Sequence, residues 1–476
     1  TRVRALALPG IGLVPESRRV YTMAGAAPGT SLAAQVLGFV NVDGAGQYGV
    51  EGAEDAVLAG TPGSVIAQED VAGRLIAGSV HELEAPINGA DLTLTIDAGL
   101  QHLLEEQMLD TFTRNRAKGV TGVIMDVNTG AILALATAPT FDANSYPSTD
   151  PALFSSPAVS RQYEPGSVLK AMTVAAALDA GAITPTDLFL DDNHLQVYDA
   201  TISNADRQWW PNGHGLITPA QVLALSNNVG AATIGLTLGG QRLYDALLRF
   251  GFGTPTGIDL AGEAAGTVLH PDAEGASKEL TTAQNAFGQG ISVTVVQMAA
   301  AYAAIANGGR LVSPHVVAGW TAEDGTFSPR PADEQAQILK PETASTVLEM
   351  LTGAVDNGIA DGAAVAGYSI AGKTGTAQVA GPVNVRVQTG WDANGKPIYV
   401  DSVQQAYIEG WVDSSFIGIA PASNPRFVMM VLIHRPVVGR SGIGERPEVA
   451  FSQLAPLVFD YLGIPPDRPA PGVAQP

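Results

Sequence analysis

The sequence predicts an α+β fold, with an antiparallel sheet flanked by helices and a helical subdomain. Three observations carry this. Leu100, Leu103, Leu104, Met108 and Phe112 fall at helical spacing, and two β-like runs follow around Asn128-Thr129-Gly130. The middle of the chain holds long apolar stretches at helical period. The last third alternates short apolar runs with turns and closes on one more helix.

The elements follow in order. Residues 1–90 mix short apolar runs such as LPGIGLVP (8–15) and AAQVLGFV (33–40) with Gly and Pro, and read as an irregular α+β module without a catalytic set. At Asp91 the texture changes: LTLTI (92–96) alternates as a strand, Asp97 is a good N-cap, and 98–117 is the amphipathic helix. VTGVIMDV (120–127) and AILALATA (131–138) make a hairpin. A loop rich in Pro, Ser and Asp (139–160) leads to YEPGSVLKAMTVAAALDAG (163–181), which reads as a buried helix opened by Ser167.

After it, 182–217 is polar and aromatic; Trp209 and Trp210 read as packing under a loop, with lining of a cleft as the alternative. The stretch 218–240 is helical but interrupted at Ser226-Asn227-Asn228, 241–253 is a helix ended by glycine, and 287–309 reads as one long apolar helix stopped by Asn-Gly-Gly. A further helix spans 341–355. Strands are expected at 368–378, 414–423 and 426–436, and a closing helix at 449–463. Between Gln378 and Trp411, two β-like runs around Asn394-Gly395 predict a hairpin insertion (385–400) beside the Lys373 strand. The domains expected are thus 1–90, 91–465, and a disordered tail at 466–476.

Composition excludes several functions. A net charge of −21 argues against a nucleic-acid partner and against adhesion to anionic lipid. With no cysteine, disulfides, thiolate catalysis and thiolate metal sites are ruled out. No cofactor is implied. His270 and His434 stand alone, so they read as structural and no metal is expected. No apolar run approaches the ~18 residues of a membrane span.

The chemistry lies in three short patterns: S-x-x-K at 167–170, S-x-N at 226–228 and K-T-G at 373–375. Each alone is weak; together they are the set of penicillin-binding proteins and class A β-lactamases. Ser167 and Lys170 sit one turn apart on one helix face, a hydroxyl beside an amine, which are the parts of an activated nucleophile. Lys170 serves as base only when neutral, a state favoured by burial and by a second cation, for which Lys373 is the candidate. Ser226 suits a proton relay. Asn228 suits either a substrate amide or a hold on Lys170. Lys373 and Thr374 suit a carboxylate, with Gly375 and Thr376 completing the substrate strand. That strand can pair with an extended peptide. The backbone N–H groups of Ser167 and Thr376 are the expected oxyanion donors.

YEPGSVLK, SNN and KTGTAQ resemble the active-site motifs of class B penicillin-binding proteins, and FGQGISVTVVQMAAAYAAIANGG and SSFIGIAPASNPRFVMMVLI are similar to later segments of that family. QVLGFVNVDGAGQYGVEGAEDAVLAG resembles the family's non-catalytic pedestal, so the likeness runs from about Arg18 to Gly463. It implies the penicillin-recognising serine transferase (β-lactamase-like) fold. It also implies a peptidoglycan D,D-transpeptidase, acylated on Ser167 by a D-Ala-D-Ala stem peptide or by a β-lactam. The division and sporulation members are slightly favoured by Tyr163-Glu164-Pro165-Gly166. The implied partners are stem peptides, β-lactam antibiotics, a membrane glycosyltransferase and the cell-wall machinery; a homodimer stays open. The implied location is the outer face of the bacterial membrane, through a single N-terminal anchor absent from this chain. A D,D-carboxypeptidase, a β-lactamase and a non-catalytic penicillin-binding sensor or scaffold remain as alternatives. The class A Glu-x-x-Leu-Asn pattern is not found after S-x-N, and the intact motif set argues against a scaffold.

Overall fold

The computed structural model describes Leu6 and residues 18–469, apart from 73, 75, 274–276, 392–393, 395 and 438–445. Its centre is a five-stranded antiparallel sheet. In spatial order the strands are Ala371–Trp391, Pro397–Ala420, Phe427–His434, Gly119–Asp126 and Ile132–Ala138. The Lys373 strand therefore lies at the sheet edge, where its outer backbone groups are open to an added strand.

Two apolar layers clamp this sheet. On one face, Leu100, Leu104 and Met108 of the helix Ala98–Asn115 join Phe451, Leu454 and Val458 of the closing helix Pro447–Tyr461 against Ile124, Phe416 and Met429. Asp97 caps the first helix, its side chain accepting from Gly99 N and Leu100 N. On the other face, the helix Val295–Ala306 packs over Val123, Ile417 and Met430, and the helices Lys170–Asp179, Asn228–Leu238 and Pro341–Asp356 belong to the same apolar cluster. Alternation along the strands sends neighbouring residues to these two opposite layers.

The hairpin insertion occupies the whole excursion between Gln378 and Trp411, with 385–400 as its outer part. The two strands bracketing it run on into a ribbon, pairing from Ala371↔Ile419 out to Trp391↔Pro397 with register shifts between Gln378 and Ala380 and between Gln388 and Gly390. Asn394 lies at its tip; Gly395 is outside the described residues. Asp91–Leu94 does not join the main sheet. It pairs with Val317–Thr321 in a small three-stranded sheet whose other two strands carry too few alternating apolars to be legible.

The stretch 287–309 is a correction: it is not one helix. Lys278–Phe287 ends at Gly288, and Val295–Ala306 starts afresh behind a capping box of Thr294 and Gln297. Gly288 sits at φ 88°, and a Cβ there would stand 2.1 Å from Gly166 O. The helix must break because its end passes against the turn at Gly166.

The described N-terminal residues pack on the rest through Tyr21, Phe39, Phe141 and Phe154, with the rings of Phe39 and Tyr146 stacked at 4.2 Å. At the other end, the expected loose tail is tied at its start. Asp467 accepts from Ser369 N at 2.7 Å, and Arg468 makes two bonds to Asp356. Residues 470–476 lie outside the described residues.

Candidate active site

Ser167 opens not an α-helix but a 3-10 turn, Gly166–Leu169, from which the α-helix Lys170–Asp179 continues. Gly166 permits this: it has φ 57°, and a Cβ there would lie 2.8 Å from Thr376 O. Gly166 N donates to Gly288 O at 3.0 Å. The turn is thus pressed between the broken helix end and the Lys373 strand, with Ser167 partly open and Lys170 fully buried.

The Lys170 amine donates to Ser226 O at 2.5 Å and Asn228 Oδ1 at 2.7 Å, with Ser226 Oγ at 3.4 Å. Ser226 takes φ 56°, unusual for a residue with a Cβ. That conformation joins the helix Pro219–Ala224 to Asn228–Leu238 and turns the Ser226 carbonyl toward the amine. Asn228 is engaged at both ends, since Nδ2 donates to Ser203 O at 3.0 Å. Of the two roles expected for it, the structure displays the hold on Lys170.

Burial pushes Lys170 well below the ordinary lysine value; Lys373 pushes it further, and Asp206 works in the opposite direction. Lys373 is itself fully buried and is lowered to about 7 by burial, with Glu448 opposing. A neutral amine has two N–H donors and one lone pair. Ser226 O and Asn228 Oδ1 occupy the two donors, so the lone pair is left to accept a proton.

Ser167, Ser226, Asn228, Thr374 and Thr376 line one cavity of about 240 Å³, with Asp206, Phe287, Gln289 and Ile359 among the remaining walls. Lys373 and Gly375 do not line it. They point to the other face of the strand, where a Cβ on Gly375 would meet Pro165 O and Val168 Cγ1, each at 3.0 Å. Gly375 lets the turn carrying Ser167 approach the strand.

Several residues escaped the sequence reading. Asp191 is fully buried, and its carboxylate accepts from Asn204 Nδ2 (2.8 Å), Asn227 Nδ2 (2.7 Å), Asn193 N (3.0 Å) and His214 N (2.9 Å). Asn204 Oδ1 in turn accepts from Asn228 N at 2.8 Å. This network fixes the turn that holds Lys170. The density of Asp and Asn at 191–206 was its one signal, and nothing in the pattern distinguishes a buried carboxylate from a solvated loop. Glu164 joins the ribbon to the segment before Ser167: it accepts from Tyr407 Oη at 2.8 Å and from Gly290 N at 3.1 Å. Trp209 and Trp210 neither pack under a loop nor line the cavity. They are 69% and 54% exposed, and the Trp210 ring leans on His214. His434 pairs with Asp413 at 2.6 Å beside Arg161, and His270 packs edge-on to Tyr244.

Residues 120–454 match the penicillin binding protein transpeptidase domain. The chain belongs to the penicillin-binding protein transpeptidase family. Its likeness to class B members is broad. It is 33% identical to penicillin-binding protein PbpB of Mycobacterium tuberculosis over 98% of this chain and 66% of that protein, so it spans just under two thirds of that relative's length. It is 33% identical to stage V sporulation protein D of Bacillus subtilis, over 91% of this chain and 62% of that protein. Against peptidoglycan D,D-transpeptidase FtsI of Escherichia coli it is 32% identical over 98% of this chain and 71% of the relative. A crystal structure of penicillin-binding protein 3 from M. tuberculosis, complexed with ampicillin, superposes with a TM-score of 0.77 at 30% identity, covering 94% of this chain and 90% of that one. This penicillin-binding protein thus has the penicillin-recognising serine transferase fold. Among its described residues no helix is long and apolar enough to cross a membrane.

Proposed function

We propose that this penicillin-binding protein is a peptidoglycan D,D-transpeptidase. Ser167 Oγ attacks the carbonyl of the penultimate D-Ala of a stem peptide. Its proton passes to the neutral Lys170 amine, and the backbone N–H groups of Ser167 and Thr376 hold the developing oxyanion. As the peptide bond breaks, the terminal D-Ala leaves as an amine, taking a proton returned from Lys170 through Ser226. The acyl group then moves from Ser167 to an acceptor amine, which loses one proton as the new peptide bond forms and Ser167 regains its own. Thr374 and Thr376 receive the substrate carboxylate and strand; Lys373 acts from behind the strand through its charge. A β-lactam acylates Ser167 by the same first step, its ring amide opening in place of the D-Ala bond.

The observation that supports this most is the Lys170 amine, buried, flanked by Lys373 and bonded through both donors to Ser226 O and Asn228 Oδ1. The reading implies an enzyme acting on the outer face of the bacterial membrane, supplied with glycan strands by a glycosyltransferase. In it residues 18–90 form the pedestal, which docks on the rest through the aromatic cluster of Tyr21 and Phe39 against Phe141 and Phe154. The test is incubation with a fluorescent penicillin and intact-mass measurement over hours. A persistent one-to-one adduct, lost in Ser167→Ala, is expected. Rapid turnover to hydrolysed drug would favour a β-lactamase, and no adduct would overturn the reading.

A further inference from the structure

Lys170 changes its hydrogen-bond needs during the proposed reaction. As a neutral amine it has two donors, and both have partners. After taking the Ser167 proton it is an ammonium with three donors and a buried positive charge. Burying such a charge without an anion is costly. The third contact now available, Ser226 Oγ at 3.4 Å, is neutral and long.

The same cavity wall holds an acceptor with nothing to accept. Asp206 lines it beside Ser226 and Asn228. Its Oδ2 is bonded to His214 Nε2 at 2.8 Å, while Oδ1 is shut off from solvent and has no hydrogen-bond partner. Among the described residues, Asp206 is the one lining this cavity whose buried side-chain oxygen is left unpaired. A buried unpaired acceptor is costly, more so if charged, and a partner in another reaction state would relieve that cost. The charged groups acting on Lys170 are Lys373 from the strand and Asp206 from this loop, and they oppose one another. His214 is itself anchored, its backbone N–H donating to Asp191 Oδ2 at 2.9 Å. The loop that fixes the 226–228 turn therefore also fixes Asp206.

We propose that Asp206, held by His214, is a positioning residue that balances the Lys170 ammonium formed when the base takes the proton of Ser167. The inference rests on the acyl-enzyme reading. It separates two electrostatic tasks: Lys373 and burial keep the resting base neutral, and Asp206 stabilises it once it is charged.

The test is the rate of penicillin acylation from pH 5 to pH 10 in the wild type, Asp206→Asn and His214→Ala. Asp206 favours the charged amine, so its removal makes Lys170 a weaker base. In Asp206→Asn the plateau rate should fall about tenfold, and the acid limb of the profile should move to lower pH. The final one-to-one adduct on Ser167 should still form. His214→Ala, which keeps the carboxylate but releases it, should lower the plateau by a smaller factor in the same direction. A structural role alone would lower the rate without moving the limb. A wild-type profile retained in both variants, or a limb that stays in place or moves to higher pH, would overturn the proposal. Failure of the wild type itself to form an adduct would instead overturn the acyl-enzyme reading.

Discussion

Asn228 Oδ1 accepts from Lys170 Nζ at 2.7 Å while Asn228 Nδ2 donates to Ser203 O at 3.0 Å. One amide therefore ties the base to the loop behind it, and its orientation is fixed from both sides. Asn228→Ala should slow penicillin acylation about 100-fold, the range expected when a proton-transfer group loses its alignment. Asn228→Asp should also slow it, by placing an anion on the amine and favouring its charged form. A stopped-flow acylation assay checks both; a rate within twofold of wild type in either would contradict this role.

Asp191 is the hub beneath that amide. Four N–H groups converge on its carboxylate. Asp191→Ala would leave several buried donors unsatisfied, at about 1–3 kcal/mol each. Unfolding should therefore shift to clearly lower denaturant concentration, and acylation should slow even where the protein remains folded. Equal midpoints in urea for variant and wild type would show that the network is dispensable.

Lys373 exchanges stability for reactivity. Its folded value near 7 lies below its ordinary 10.5, so between these values the unfolded chain binds more protons than the folded one. The contribution of Lys373 to stability is thus least favourable below pH 7 and improves as pH rises toward 10.5. Lys373→Met should raise Tm at pH 6 and raise it less at pH 10, while slowing acylation. Thermal melts at the two pH values decide it; a larger gain at pH 10 would reverse the sign and refute the account.

The ribbon should matter to the second half of the reaction more than the first. Tyr407 pairs with Ala380 and bonds Glu164, and both contacts lie at the base of the ribbon, outside the segment 385–400. Deleting 385–400 should leave penicillin acylation within about twofold and slow transfer to an amine acceptor. Unchanged transfer in a donor–acceptor peptide assay would remove the ribbon from the reaction.

What was legible in the sequence follows from the range of each interaction. Asp97 as a cap, the 98–115 periodicity and the S-x-x-K turn are local, and local spacing reveals them. The break at Gly288 was not legible, because its cause is Gly166, more than a hundred residues away in sequence. The face of the Lys373 strand was equally hidden. Alternation predicts that Thr374 and Thr376 share a face, but the packing of Pro165 and Val168 against Gly375 decides which side forms the cavity. Asp191 and Asp206 lie in a polar loop whose composition is that of solvated surface, and only tertiary contacts turn it into a buried network.

All of these features converge on the charge of one amine. Labelling the lysines with ¹³C and ¹⁵N, assigning the Lys170 signal by its loss in Lys170→Ala, and following it by NMR across pH measures that charge directly. The account predicts a Lys170 midpoint well below 10.5, with the amine neutral in the folded enzyme at neutral pH. A midpoint at the ordinary lysine value would contradict it.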